Sequence, residues 1–296
     1  MRRPPARIPG RLPPVTDPDS WESGMAGYPT SNQVELAPST SQLVLLGASN
    51  LTVCLPHILR ILAASPLTRP HVWSVHGLGR SYGQWSTAGI RGLPSIRDAS
   101  VWTDLGHSGS FPTDGPRHSV ITDVGNDLVY GVPADTVADW IEDCIQRLHD
   151  RGFDVVITQL PLERLHRMTT LQFQATKTLF FPTYRLRWPT LQQEIAKLAE
   201  RLNETADRFD LPLIDQPETW YGFDPIHIRN SMRLQAWQQI LCRFDALRIL
   251  QPVTAPGLFD RINIWFQRPA CRRILGIPRY RAQPCLQSDR LTLSVY

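Results

Sequence analysis

Cysteine is scarce and unpatterned in this chain of 296 residues. Cys54, Cys144, Cys242, Cys271 and Cys285 make an odd number with no C-x-x-C spacing, which excludes a disulfide scaffold and a cysteine zinc site. The thiols read as reduced, three of them as buried. No apolar run approaches the length of a bilayer span, so no transmembrane segment is expected. Arg2 and Arg3 are followed by proline and arginine rather than an apolar stretch, which argues against a secretory or twin-arginine signal and makes the cytoplasm the expected compartment. A G-x-x-x-x-G-K-S phosphate loop is lacking, and Gly77, Gly79 and Gly83 do not complete G-x-G-x-x-G. No nucleotide, other cofactor or metal is therefore expected.

The charge is modest and uneven. The net charge is +4, but residues 251–296 hold seven arginines against two aspartates, so the basic excess belongs to the C-terminal part. That segment also carries Leu258, Phe259, Ile262, Ile264, Trp265, Phe266 and Ile274. It is expected to pack its apolar residues on the main domain and to solvate its arginines. An anionic membrane surface is the alternative, and nucleic acid is not expected. Residues 1–40 hold eight of the 26 prolines and no apolar periodicity, the composition of a disordered leader, and Met25 is a candidate start. The division expected is a leader over 1–40, a main domain over 41–250 and a basic extension over 251–296.

From Gln42 short apolar runs alternate with amphipathic segments. Strands are predicted at Leu43–Leu46, His71–Val75, Val120–Val124, Val155–Leu160 and Leu211–Ile214. Helices are predicted around Val137–Leu148, Leu191–Leu202 and Leu234–Phe244, where apolar residues recur at three- and four-residue steps. About five strands interleaved with helices predict an α/β fold, a doubly wound parallel sheet with helices on both faces and a ligand crevice at the carboxyl ends of the strands.

Polar loops follow three of these strands: Gly47-Ala48-Ser49-Asn50, Gly77-Leu78-Gly79-Arg80-Ser81 and Gly125-Asn126-Asp127. Asp224-Pro225-Ile226-His227 follows the last strand. A serine opening a helix has its N–H at the positive helix end, where an oxyanion formed on attack would be stabilised. An aspartate three residues before a histidine can hold Nδ1 and turn Nε2 toward a nucleophile. The ordered set resembles the SGNH hydrolase superfamily, the GDSL-type esterases and lipases. The resemblance spans about residues 42–247 and rests on four short blocks. It implies a three-layer flavodoxin-like fold, Ser49 as nucleophile, Asp224 and His227 as the rest of a triad, and Ser49, Gly79 and Asn126 as the oxyanion hole. The family's G-D-S-L reads G-A-S-N-L here, with Ala48 in place of aspartate, a departure that bears on substrate more than on catalysis.

Simpler readings stand beside each block. Ser49 can be an N-cap, G-N-D a turn, and Asp104…His107 repeats the D-x-x-H spacing ahead of the G-N-D block. Gly79-Arg80-Ser81-Tyr82-Gly83 fits the G-x-S-x-G elbow of α/β-hydrolases, but too few strands precede it and a poor helix follows. The expected activity is a serine esterase or acyl hydrolase on a small-molecule or sugar-linked ester. An acyltransferase using the same site and a non-catalytic binding module on the same fold are the alternatives. Residues 162–188 interrupt the alternation with aromatic residues among Arg and Lys, a candidate substrate wall or a satellite cluster under a long loop.

Overall fold

A computed structural model describes residues 41–65, 69–88, 90–106, 115–180, 187–247 and 253–296. The expected leader, Met25 and His107 lie outside the described residues. The first half of the chain runs β1 (Gln42–Leu46), α1 (Ser49–Ala63), β2 (His71–Val75), β3 (Ser86–Ala88), β4 (Arg91–Leu93), α2 (Val101–Asp104), β5 (Arg117–Ile121), α3 (Asn126–Val129) and α4 (Ala134–His149). It continues through β6 (Asp154–Thr158), α5 (Leu162–His166), α6 (Thr170–Phe180), α7 (Trp188–Phe209), β7 (Leu213–Ile214) and α8 (Arg233–Leu241). The chain closes with α9 (Leu258–Trp265), β8 (Cys271–Ile274), β9 (Ile277–Tyr280), β10 (Leu286–Gln287) and β11 (Thr292–Val295).

Seven strands form the central sheet in the order β10-β11-β2-β1-β5-β6-β7. All pair in parallel except β10. Every residue of β1 and β2 is buried, as a sheet covered on both faces requires. The two-residue period of β1 divides its side chains between the two covers. Val44 and Leu46 join Val137, Ile141 and Ile145 of α4 and Leu191 and Leu198 of α7. Leu43 and Leu45 join Leu55 and Ile58 of α1 and Trp237 and Ile240 of α8. The result is a three-layer, flavodoxin-like α/β fold. In the order of β2, β1, β5, β6 and β7 the winding reverses at β1, so the loops leaving β1 and β5 diverge and open the crevice between them.

The five predicted strands are β1, β2, β5, β6 and β7, with boundaries displaced by one to three residues in all but β2; two of the displacements have local reasons. Strand β5 ends at Ile121, because Asp123 takes a left-handed conformation at φ +59°. Strand β7 starts only at Leu213, since the Leu211 N–H is drawn back to the Ala206 carbonyl at the end of α7, at 2.9 Å.

The C-terminal part is woven into the sheet rather than appended to it. Strand β11 pairs in parallel with β2, and β8 and β9 join β3 and β4 in a four-stranded sheet. The expectation that its apolar residues are packed away is corrected for helix α9. Leu258, Phe259, Ile262, Trp265 and Phe266 are exposed, while Ile264 packs on the α1/α8 core. The cysteine expectation also shifts: Cys54 and Cys144 are buried, Cys271 and Cys285 half-buried and Cys242 exposed.

Candidate active site

Ser49 is the first residue of α1 and is buried. The N-cap is Ala48, without a side-chain cap bond, so Ser49 does not cap the helix. That service comes from across the sheet. Asp123, in the loop after β5, accepts the Ala48 N–H at 2.7 Å and the Leu51 N–H at 3.1 Å on Oδ2. The carboxylate neutralises two of the helix's unpaired donors and fixes the turn that carries Ser49. Burial pushes the Asp123 carboxyl above the ordinary range, opposed by the Leu51 and Ala48 N–H groups, the Asn50 side chain and His227.

The second anchor is Asn50. Its Nδ2 donates to the Ile226 carbonyl and its Oδ1 accepts the Ile228 N–H, both at 2.8 Å. These bonds grip the backbone on either side of His227, so the residue beside Ser49 holds the histidine loop in register with the start of α1.

Within that loop Asp224 Oδ2 lies 2.7 Å from His227 Nδ1. Asp224 Oδ1 accepts the N–H of Ile226 at 2.8 Å and of His227 at 3.3 Å. Burial opposes the charge on Asp224, but the His227 ring and these two N–H groups outweigh it and hold the carboxyl below its usual range. An ionised carboxylate accepts only, so the pair places the proton on Nδ1 and the lone pair on Nε2.

Asn126 opens α3 after β5 and is buried. Its Nδ2 finds no hydrogen-bond partner among the described residues, the condition of a donor kept for a ligand. Gly79, in the loop after β2, has φ +66°, and its carbonyl accepts the Tyr130 hydroxyl at 2.7 Å. Tyr130 directly follows α3, so the Gly79 loop is tied to the element that bears Asn126. Of the three glycines in this loop, Gly79 alone has the left-handed backbone.

The competing motifs have other uses. Ser81 is buried, and its Oγ accepts the N–H groups of Gly83 and Gln84 at 3.1 and 2.9 Å. It also bonds Asp127 of the G-N-D block, whose Oδ2 takes the Tyr82 N–H at 2.9 Å. Strand β3, not a helix, follows it. Asp104 accepts the Tyr296 hydroxyl at 2.6 Å.

An apolar cavity of about 110 Å³ opens beside these loops, lined among others by Asn50, Asn126, Leu160, Met168, Phe173 and Ile226. The interruption at 162–188 thus supplies part of a wall: Leu165, Met168, Phe173, Thr176 and Lys177 reach the cavity. Phe173 is braced by Trp188 with ring centroids 4.8 Å apart. Phe181, Tyr184 and Arg185 lie outside the described residues. Among the described residues no cluster of His, Cys, Asp or Glu suits a metal ion, and no helix is long and apolar enough to cross a membrane.

Asp123 is the functional candidate that sequence reasoning missed. Its signal was the acidic residue just past a buried strand, two positions ahead of Gly125-Asn126-Asp127.

No family model and no curated protein matches the chain. Among solved structures, one is similar at 13% identity and a TM-score of 0.46, over 69% of this chain and 97% of that one. The psychrotrophic esterase EstA from Pseudoalteromonas sp. is similar at 9% identity and a TM-score of 0.43, over 68% of this chain and 94% of that one.

Proposed function

We propose that the protein is a serine esterase or acyl hydrolase of the SGNH type. Ser49 attacks the ester carbonyl, His227 Nε2 takes the hydroxyl proton and returns it to the leaving alcohol, and water then releases the acyl group by the same route. Asp224 holds the imidazole in the required tautomer and stabilises the imidazolium. The Ser49 N–H at the positive end of α1, the Gly79 N–H and the unpartnered Asn126 amide receive the oxyanion. The apolar cavity beside Asn126 suits the acyl chain of a small-molecule ester. No cofactor enters any step. The five free cysteines fit a reducing compartment such as the cytoplasm.

The observation that carries this reading is the Asp224–His227 contact at 2.7 Å on a loop clamped by Asn50, the neighbour of Ser49. Hydrolysis of a short-chain p-nitrophenyl ester tests it. Ser49→Ala, folded by circular dichroism, is expected to lose about 10³-fold or more in kcat. Activity retained in that variant would refute the assignment.

A further inference from the structure

A second cleft, of about 330 Å³, lies between the main sheet and the C-terminal elements. Arg91 of β4, Arg233 of α8, Arg261 of α9, Arg268 between α9 and β8, and Arg272 of β8 line it. Among the described residues no Asp or Glu lines it, and none of these five arginines forms an ion pair. The Arg261 Nε is buried and finds no partner among the described residues. Behind the wall sits Arg80, fully buried. Its Nη1 bonds the carbonyl of the lining residue His76 at 3.1 Å, and its Nη2 finds no partner among the described residues.

Such a cluster is expensive to build. Burial, then the charges of Arg268, Arg91, Arg281 and Arg279, lower the Arg272 pKa, yet guanidinium does not discharge near neutral pH. An anion in the cleft would offset this repulsion. Planar, forked donors from several directions suit the oxygens of a phosphate, which can accept from more arginines at once than one carboxylate can.

The position adds meaning. Thr52 and Val53 line the cleft, and the Thr52 N–H closes the first turn of α1 on the Ala48 carbonyl. Gly77 and Leu78, also in the lining, lead directly into Gly79. We propose that this basic cleft binds a phosphate group, and, resting on the esterase reading, that the substrate carries this group on the side away from its acyl chain. The phosphate belongs either to a soluble phosphoester or to a lipid headgroup, for which the exposed Trp265 and Phe266 would form an apolar rim.

Calorimetric titration of the full chain with inorganic phosphate, and co-sedimentation with phosphatidic-acid vesicles, test the cleft without turnover. Saturable binding of inorganic phosphate would mark a soluble ligand, and binding to the vesicles alone a lipid headgroup. In either case the Arg261→Gln/Arg272→Gln pair is expected to weaken binding about tenfold or more, as loss of charge-assisted hydrogen bonds implies. Arg91→Gln, at an exposed position, repeats the test should the pair fail to fold. Ser49→Ala should bind as the wild type does, so failure of the esterase reading would leave this result untouched. Absence of binding to both probes at millimolar phosphate, or an equal loss in the control Arg187→Gln/Arg243→Gln, exposed and outside the cleft, would overturn the proposal.

Discussion

At the scale of the residue, the site depends on side chains that hold backbone. Asp123 accepts two N–H groups of the first turn of α1. Asp123→Ala would leave both donors buried and unpaired, a loss of about 1–3 kcal/mol, whereas Asp123→Asn keeps an acceptor and sheds the cost of burying charge. Urea unfolding should therefore rank Asn well above Ala, and equal stability of the two would contradict the capping role. Asp224 gives a pH-dependent counterpart. Its folded pKa lies below the ordinary value, so its stabilising contribution is present above the unfolded pKa of about 3.9 and is lost as pH falls through the lower folded value. Unfolding midpoints of wild type and Asp224→Asn should differ at pH 6 and converge on acidification. A gap unchanged down to about pH 3, beneath the ordinary carboxylate range, would contradict the bond to His227.

At the scale of the element, the turn from β1 into α1 has no spare room. A Cβ on Gly47 would meet Thr122 Cγ2 at 2.7 Å, Leu51 Cβ at 3.0 Å and Asp123 Oδ2 at 3.2 Å. Because the first two are not ends of long side chains, Gly47→Ala is expected to destabilise by about 1–3 kcal/mol and to lower kcat by moving Ser49. Wild-type kinetics in this variant would show that the turn gives without consequence. The same turn explains what was legible in the sequence. The runs that form β1 and β2 are mostly apolar because both faces are covered, and the four polar blocks stand out against them. Asn50 and Asp123 were not legible as anchors, because their partners are backbone groups 72 to 178 residues away. The C-terminal strands were missed for a related reason: β11 gains its place by pairing with β2, and the alternation Thr292-Leu293-Ser294-Val295 is only four residues long.

At the scale of the whole molecule, parallel winding gathers the loops after β1 and β5 at one edge, and the long return through α7, β7 and the Asp224–His227 loop closes on the same edge. Two further sets of elements then build walls around it. The inserted α5 and α6 supply apolar side chains to the cavity on one side, and the C-terminal segment supplies three of the five arginines that line the basic cleft on another. Both walls serve a single reactive serine in this account, so the most direct test is covalent. The protein should be treated with a fluorophosphonate, digested and mapped by mass spectrometry. A single phosphonyl adduct on Ser49, abolished in Ser49→Ala and undiminished in Ser81→Ala, is the predicted result. Labelling of Ser81, or no labelling of Ser49 in the folded protein, would contradict the account.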